Sequence, residues 1–194
     1  MPMTPEEAEY YPTPAWCVHR LLDAVSLPSG DWLDPCVGEG AIPDAVTDPG
    51  VRWLTVDIRD TGCADYVVDY TRANRWGRFD VCLMNPPFSK AWEFARKAIE
   101  HCDTVIMLQR LNWLQPGSSE PSRARAQWLR EHTPGVYVLP DRPSFTGDGK
   151  TDSQAYAWYA WGDGDPVVRI LDSTPDSERK QRRERHRRQQ ELPL

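Results

Sequence analysis

The sequence predicts an α/β fold, an open and mostly parallel β-sheet with helices on both faces. Three observations point to it. Apolar strand-like runs alternate with stretches of helical periodicity over most of the 194 residues. Several runs, "FDVCLMN" (79–85) among them, are nearly continuous rather than alternating, as in strands covered on both faces. A chain of this length builds one full core but not two, so a single domain over residues 1–172 is expected, followed by a tail at 173–194.

Taken in order, Thr13 is placed to cap a helix with Pro14 at its first position, and Val18, Leu21, Leu22 and Val25 form its apolar stripe. "DWLDP" (31–35) reads as the first strand. "LDPCVGEGAI" (33–42) follows as a strand ending in an acid, a glycine-bearing turn and an incipient helix whose N-terminus would offer N–H donors. Pro43 stands where a dinucleotide fingerprint needs a third small residue, which disfavours a nicotinamide cofactor. "VRWLTVDI" (51–58) and "DYVVDY" (65–70) are further strands, and "FDVCLMN" runs into the corner Asn85-Pro86-Pro87-Phe88. Ser89 then caps a helix with Trp92, Ala95, Ile99 and Cys102 on one face. Beyond it come the strand "DTVIMLQR" (103–110), a helix at about 119–132, and the strands "GVYVLP" (135–140) and "QAYAWYAW" (154–161). These make seven strands. The last two are joined by a Gly/Ser/Asp/Thr-rich loop.

Composition excludes several classes. No apolar run approaches the roughly 20 residues that span a bilayer, and the acidic, proline-rich N-terminus lacks the layout of a secretory signal, so a cytoplasmic protein without membrane contact is expected. Five scattered cysteines and four scattered histidines form no C-x-x-C pair and no ligand spacing, so no metal is expected. Net charge is −6, but residues 178–194 hold seven basic and three acidic residues, a net of +4 on a body of −10. So apolar-poor a tail is expected to be disordered, and reads equally as a solvating terminus or a salt-sensitive phosphate contact.

Acids close three successive strands: Asp34, Asp57 about 20 residues after the glycines, and Asp69 followed by Tyr70. Asp57 is placed to take ribose hydroxyls, and Asp69 with Tyr70 an exocyclic amine beside an aromatic face. Together they outline a nucleoside pocket at the carboxyl edge of the sheet.

Asp34-Pro35-x-x-Gly38-x-Gly40, Asp57, Asp69-Tyr70 and Asn85-Pro86-Pro87-Phe88, in this order and spacing, resemble the S-adenosylmethionine-dependent amino-methyltransferases, which most often modify N6 of adenine in DNA. The upstream "YYPTP" (10–14) resembles the segment that in the γ arrangement of that family touches the methionine end of the cofactor. The likeness spans roughly residues 10–161, and "LQRLNWLQ" with "RPSFTGDGKTDSQAYAWYAW" resembles compact phage-encoded members. It implies a Rossmann-like class I methyltransferase fold, S-adenosyl-L-methionine as cofactor, and Tyr11, Thr13, Asp34, Pro35, Gly38, Gly40, Asp57, Ile58, Asp69, Tyr70 and Asn85 as its contacts. It makes Asn85, Pro86, Pro87 and Phe88 the catalytic corner, with Phe88 stacking on an extruded base. Phe145 is the candidate second aromatic, and Arg110, Trp113, Arg142 and Lys150 are candidate nucleic-acid contacts. DNA is the expected partner, RNA adenine or a protein glutamine the alternative substrate, and a non-catalytic cofactor-pocket subunit the alternative of another class. Monomer and homodimer both stay open. The chain leaves no room for the long recognition domain of many restriction-associated members.

Overall fold

The computed structural model describes residues 11–74, 76–145 and 153–173. Helix α1 (Ala15–Leu22) precedes strand β1 (Gly30–Asp34). β2 (Val51–Asp57), β3 (Tyr66–Val67) and β4 (Phe79–Met84) follow. Helix α2 (Ala91–Ile99) leads to β5 (Cys102–Arg110), and helix α3 (Glu120–Glu131) to β6 (Gly135–Val138), β7 (Tyr156–Trp161) and β8 (Val168–Ile170). The strands lie in the order β3-β2-β1-β4-β5-β7-β6-β8. All neighbours pair in parallel except β7, which runs antiparallel to both β5 and β6.

The reversal of strand order places β1 beside β4, with Leu33 opposite both Leu54 of β2 and Cys82 of β4. That is the switch point of a doubly wound sheet, where the loops leaving adjacent strands diverge and open a crevice.

Side-chain alternation divides the core between the two faces. On one, Trp32, Leu83, Ile106 and Trp158 pack against Cys17, Val18 and Leu21 of α1. The Trp158 indole N–H donates to the Cys17 carbonyl at 3.0 Å, so the largest buried side chain on that face leaves no orphan donor. On the other face, Leu33, Cys82, Met107 and Tyr159 meet Phe94, Ala95 and Ala98 of α2 and Leu129 of α3. The small residues of α2 bring its axis close to the sheet.

Three local expectations change. The sheet has eight strands, not seven, because residues 168–170 add an edge strand in register with β6. The glycine loop is followed only by a 3-10 turn, Pro43–Ala45, so no helix N-terminus faces the crevice there. Ser89 lies inside a 3-10 turn, Phe88–Lys90, rather than capping α2, and the Thr13 hydroxyl serves Asn85 instead of α1. No helix among the described residues is long and apolar enough to cross a membrane.

Candidate active site

A cavity opens at the switch point, walled by the loops after β1, β2, β3 and β4 and by the segment preceding α1. It gathers Tyr11, Thr13, Asp34, Pro35, Gly38, Asp57, Ile58, Asp69, Tyr70, Asn85 and Pro87 from the sequence-derived set; Gly40 is not part of its lining and faces Cys63 and Asp44. Lys90 and Phe94 also line it, and neither has a sequence motif to announce it, since each belongs to an ordinary helical start.

The glycine loop is tied down from below. Gly38 and Gly40 take positive φ, 54° and 84°, conformations that L side chains rarely adopt. The Gly38 amide donates to Asp57 Oδ2 at 2.8 Å, and the Gly38 carbonyl accepts from the Thr61 hydroxyl at 2.5 Å. The other Asp57 oxygen accepts from the Arg59 amide at 2.9 Å and its Nε at 3.2 Å. Asp57 is thus first a fastener of the loop, and a hydroxyl bound there would share its oxygens.

Asp34 is almost fully buried at the end of β1, where its Oδ1 accepts from the Cys36 amide at 3.1 Å. Burial, the largest influence, lifts its carboxyl from 3.8 to about 7, opposed by the Cys36 hydrogen bond and reinforced by the nearby charge of Asp57. Asp69 goes the other way. Burial alone would raise it, but hydrogen bonds from the Thr71 hydroxyl and amide, with the charges of Lys90 and Arg72, bring it below the ordinary value. Tyr70 is no open aromatic face: it is 2% exposed, packed between Trp76 and Phe94, with its hydroxyl 3.0 Å from His101 Nε2.

The corner after β4 supplies the most telling geometry. The Asn85 side-chain nitrogen donates to the Tyr11 carbonyl at 2.9 Å and lies 3.0 Å from the Thr13 hydroxyl. A carbonyl cannot donate, so this contact fixes which end of the amide is nitrogen. The oxygen, Oδ1, is left buried in the cavity wall without a hydrogen-bond partner. Such an orphan acceptor is costly unless a ligand satisfies it. The two prolines that follow fix φ and bring no N–H of their own that could occupy it.

Phe88 sits in an aromatic group rather than at an open face. Tyr11 stacks on it, Phe145 meets it edge-on with centroids 6.4 Å apart, and Tyr156 lies 5.8 Å away. Phe145, 57 positions after Phe88 in the chain, is buried against it at this corner. Two nucleic-acid candidates fall elsewhere than expected. The Arg110 guanidinium lies 4.6 Å from the Phe88 ring centroid instead of reaching outward. Trp113 is 5% exposed, turned under by the 3-10 turn Leu111–Leu114 against Tyr159 and Trp161. Arg142 is exposed, and Lys150 lies outside the described residues.

The cavity's chemistry fits S-adenosylmethionine. Three carboxylates and an orphan amide oxygen make an acceptor-rich wall, suited to a ligand bearing a sulfonium, an ammonium, ribose hydroxyls and an amino group.

No protein-family model and no curated protein matches this sequence. Solved structures do. A proposed RNA methyltransferase from Pyrococcus horikoshii is 18% identical over 79% of this chain and 81% of its own, with a TM-score of 0.52. The modification subunit of a proposed type I restriction enzyme from Vibrio vulnificus is 15% identical over 86% of this chain, with a TM-score of 0.59. This chain spans 48% of that subunit. A dimethyladenosine transferase from Plasmodium falciparum is 13% identical over 78% of this chain and 62% of its own, with a TM-score of 0.53. Strand order, the lone antiparallel strand and these likenesses together give the chain the Rossmann-like fold of the class I methyltransferases.

Proposed function

We propose that this protein is an S-adenosylmethionine-dependent methyltransferase acting on the exocyclic N6 amine of adenine in DNA. The observation that carries the reading is the Asn85 amide, whose nitrogen is pinned by Tyr11 and Thr13 while Oδ1 is left without a partner in the cavity wall. An exocyclic amine is a weak nucleophile because its lone pair is delocalised into the ring. Asn85 Oδ1 and the Pro86 carbonyl accept its two N–H bonds, hold the nitrogen pyramidal, and so direct the lone pair out of the ring plane. Neither acceptor has to ionise, and both sit on a proline-stiffened corner, which is preorganisation of position and dipole.

When bound, the cofactor supplies an electrophilic methyl on its sulfonium. Asp34 would hold its positive charge, and the Gly38–Gly40 loop, free of side chains at those two positions, would let the cofactor approach the chain closely. The target base is extruded and stacks on Phe88 with Phe145 at its edge, each aromatic contact contributing about 1–3 kcal/mol toward the extrusion.

The experiment is transfer of labelled methyl to adenine in duplex DNA, single-stranded DNA and RNA, compared between wild type and Asn85→Ala. Transfer to DNA N6 by the wild type, lost in the variant with its unfolding temperature retained, supports the reading. Wild-type rates from Asn85→Ala would overturn the mechanism, and label found only in RNA would move the substrate. RNA is the second reading: the −10 charge of the body weighs against a large footprint on either nucleic acid, and the P. horikoshii likeness is what favours RNA.

A further inference from the structure

A second recess of about 240 Å³ lies on the outer side of the catalytic corner, between the start of α2 and the first turns of α3. Phe88, Trp92 and Trp113 form its aromatic walls, and Glu93, Ser122 and Arg125 its polar ones. Each aromatic ring carries a guanidinium: Arg110 lies 4.6 Å from the Phe88 centroid, Arg96 5.2 Å from Trp92, and Arg125 5.6 Å from Trp113. Such interleaving of rings and arginines gives an acidic body a local surface suited to nucleic acid.

Two of the side chains that line the recess each carry a donor without an acceptor. The Trp92 Nε1 and the Arg125 Nε are buried and lack a hydrogen-bond partner. A buried donor left without an acceptor is unfavourable, and this recess brings two of the fold's several such donors to neighbouring side chains. A ligand that stacks between rings and presents acceptors on its edge would satisfy both. Glu93 adds the opposite requirement: a carboxylate disfavours a phosphate and suits a ligand that also carries N–H donors. A planar heterocycle with acceptors on one edge and donors on another answers all three demands, and among nucleobases guanine does so, with N7 and O6 as acceptors and N1–H and N2–H₂ as donors.

We propose that this recess holds the base next to the methylated one, a guanine read by Trp92 and Arg125 from its acceptor edge and by Glu93 from its donor edge. The assignment rests on the nucleic-acid reading above, because Phe88 walls the recess and receives the target base. It places sequence preference on the domain itself, between α2 and α3, rather than on a separate recognition domain.

The test uses the full chain and adenine-containing oligonucleotides, DNA and RNA, whose neighbouring nucleotide on either side is guanine, 7-deazaguanine, adenine or abasic. Methyl transfer and binding by fluorescence anisotropy are both read, for wild type, Arg125→Gln and Trp92→Phe. The expected result is a kcat/KM at least tenfold higher with guanine on one side than with 7-deazaguanine or an abasic site. Arg125→Gln is expected to reduce that preference to threefold or less, and Trp92→Phe, which keeps a ring and loses the N–H, to weaken it in part. Equal kcat/KM and equal affinity for all neighbours in the wild type would overturn the recess as a base site while leaving methyl transfer intact. A preference that survives in both variants would overturn its assignment to these residues. Absence of methyl transfer and binding with every oligonucleotide would overturn the nucleic-acid reading, and the recess with it.

Discussion

The rings of Tyr11 and Phe88 lie face to face, 5.1 Å between centroids and 14° from parallel. A planar base inserted between them would need about 7 Å, two stacking contacts of roughly 3.5 Å. The Tyr11 side chain must therefore swing aside before a base can stack on that face of Phe88, while its carbonyl, which holds Asn85, stays in place. Breaking an aromatic pair costs about 0.5–1.5 kcal/mol. Tyr11→Ala is expected to lower the oligonucleotide KM about 2–10-fold with kcat little changed, read from steady-state methyl transfer. A raised KM would make Tyr11 a second wall of the base site instead of its cover.

Thr13 offers the sharpest separation of positioning from binding. Its hydroxyl is one of two partners of the Asn85 nitrogen, and Thr13→Val removes that partner while preserving side-chain shape. Asn85 then keeps only the Tyr11 carbonyl and samples orientations in which Oδ1 turns away. The expected result is a kcat lowered about tenfold with cofactor affinity within about threefold, against a loss of about 10²–10³ in Asn85→Ala. Titration calorimetry alongside rates distinguishes the two. Equal kcat in wild type and Thr13→Val would show that the second partner is dispensable.

Asp34 should make both stability and cofactor affinity depend on pH. Its carboxyl titrates near 7 when folded and near 3.8 when unfolded, because burial penalises the charge. Between those values the folded chain keeps a proton that the unfolded chain has lost, so stability falls as pH rises from about 4 to 7 and is lowest above 7. Three units correspond to about 4 kcal/mol as an upper bound. Asp34→Asn should match wild type near pH 4 and unfold at a higher temperature at pH 8. A cationic ligand favours the ionised form, so S-adenosylmethionine affinity should climb through pH 6–8 in the wild type and stay flat in Asp34→Asn. A flat wild-type profile would remove Asp34 from the site.

What could be read in the sequence follows from the range of the forces involved. Strands β1, β2, β4, β5 and β7 announce themselves because their burial makes a local apolar pattern, and Asn85-Pro86-Pro87-Phe88 because its stiffness is covalent. The pinning of Asn85 was not legible, since its partners lie 74 and 72 positions away. Arg110 looks like an outward cation until folding sets it on Phe88. Trp113 follows a strand in polar surroundings, yet a single 3-10 turn folds it under Tyr159. β8 has three exposed residues and no periodicity to betray it; only hydrogen bonding to β6, with Arg169 reaching the Ala24 carbonyl, defines it.

Trp113 accordingly belongs to stability first. Enclosed by Tyr159 and Trp161 and covered by Arg125, it leaves a large void when truncated. Trp113→Ala is expected to cost about 3–5 kcal/mol in denaturant unfolding, the range for a buried Trp, whereas Trp113→Phe should cost far less. A cost below about 1 kcal/mol for Trp113→Ala would mean that the side chain is not core.

The last strand also fixes the edge of the sheet at which the described residues end. β8 pairs in parallel with β6, and β6 and β5 are both antiparallel to β7, so β8 runs with β4 and ends at the edge that carries Asn85. Four inter-strand steps separate β8 from β4, about 19 Å at roughly 4.8 Å each. The 17 residues 178–194, net +4, lie outside the described residues, which end at 173 shortly after β8. Each phosphate they neutralise would steepen the dependence of log affinity on log salt by nearly one unit. Removing residues 178–194 should therefore weaken oligonucleotide binding at low salt, flatten that slope by at least about two units, and leave cofactor affinity unchanged. An unaltered slope would assign the tail to solvation alone and leave phosphate contact to the folded body, whose nearest cations to Phe88 include Arg110.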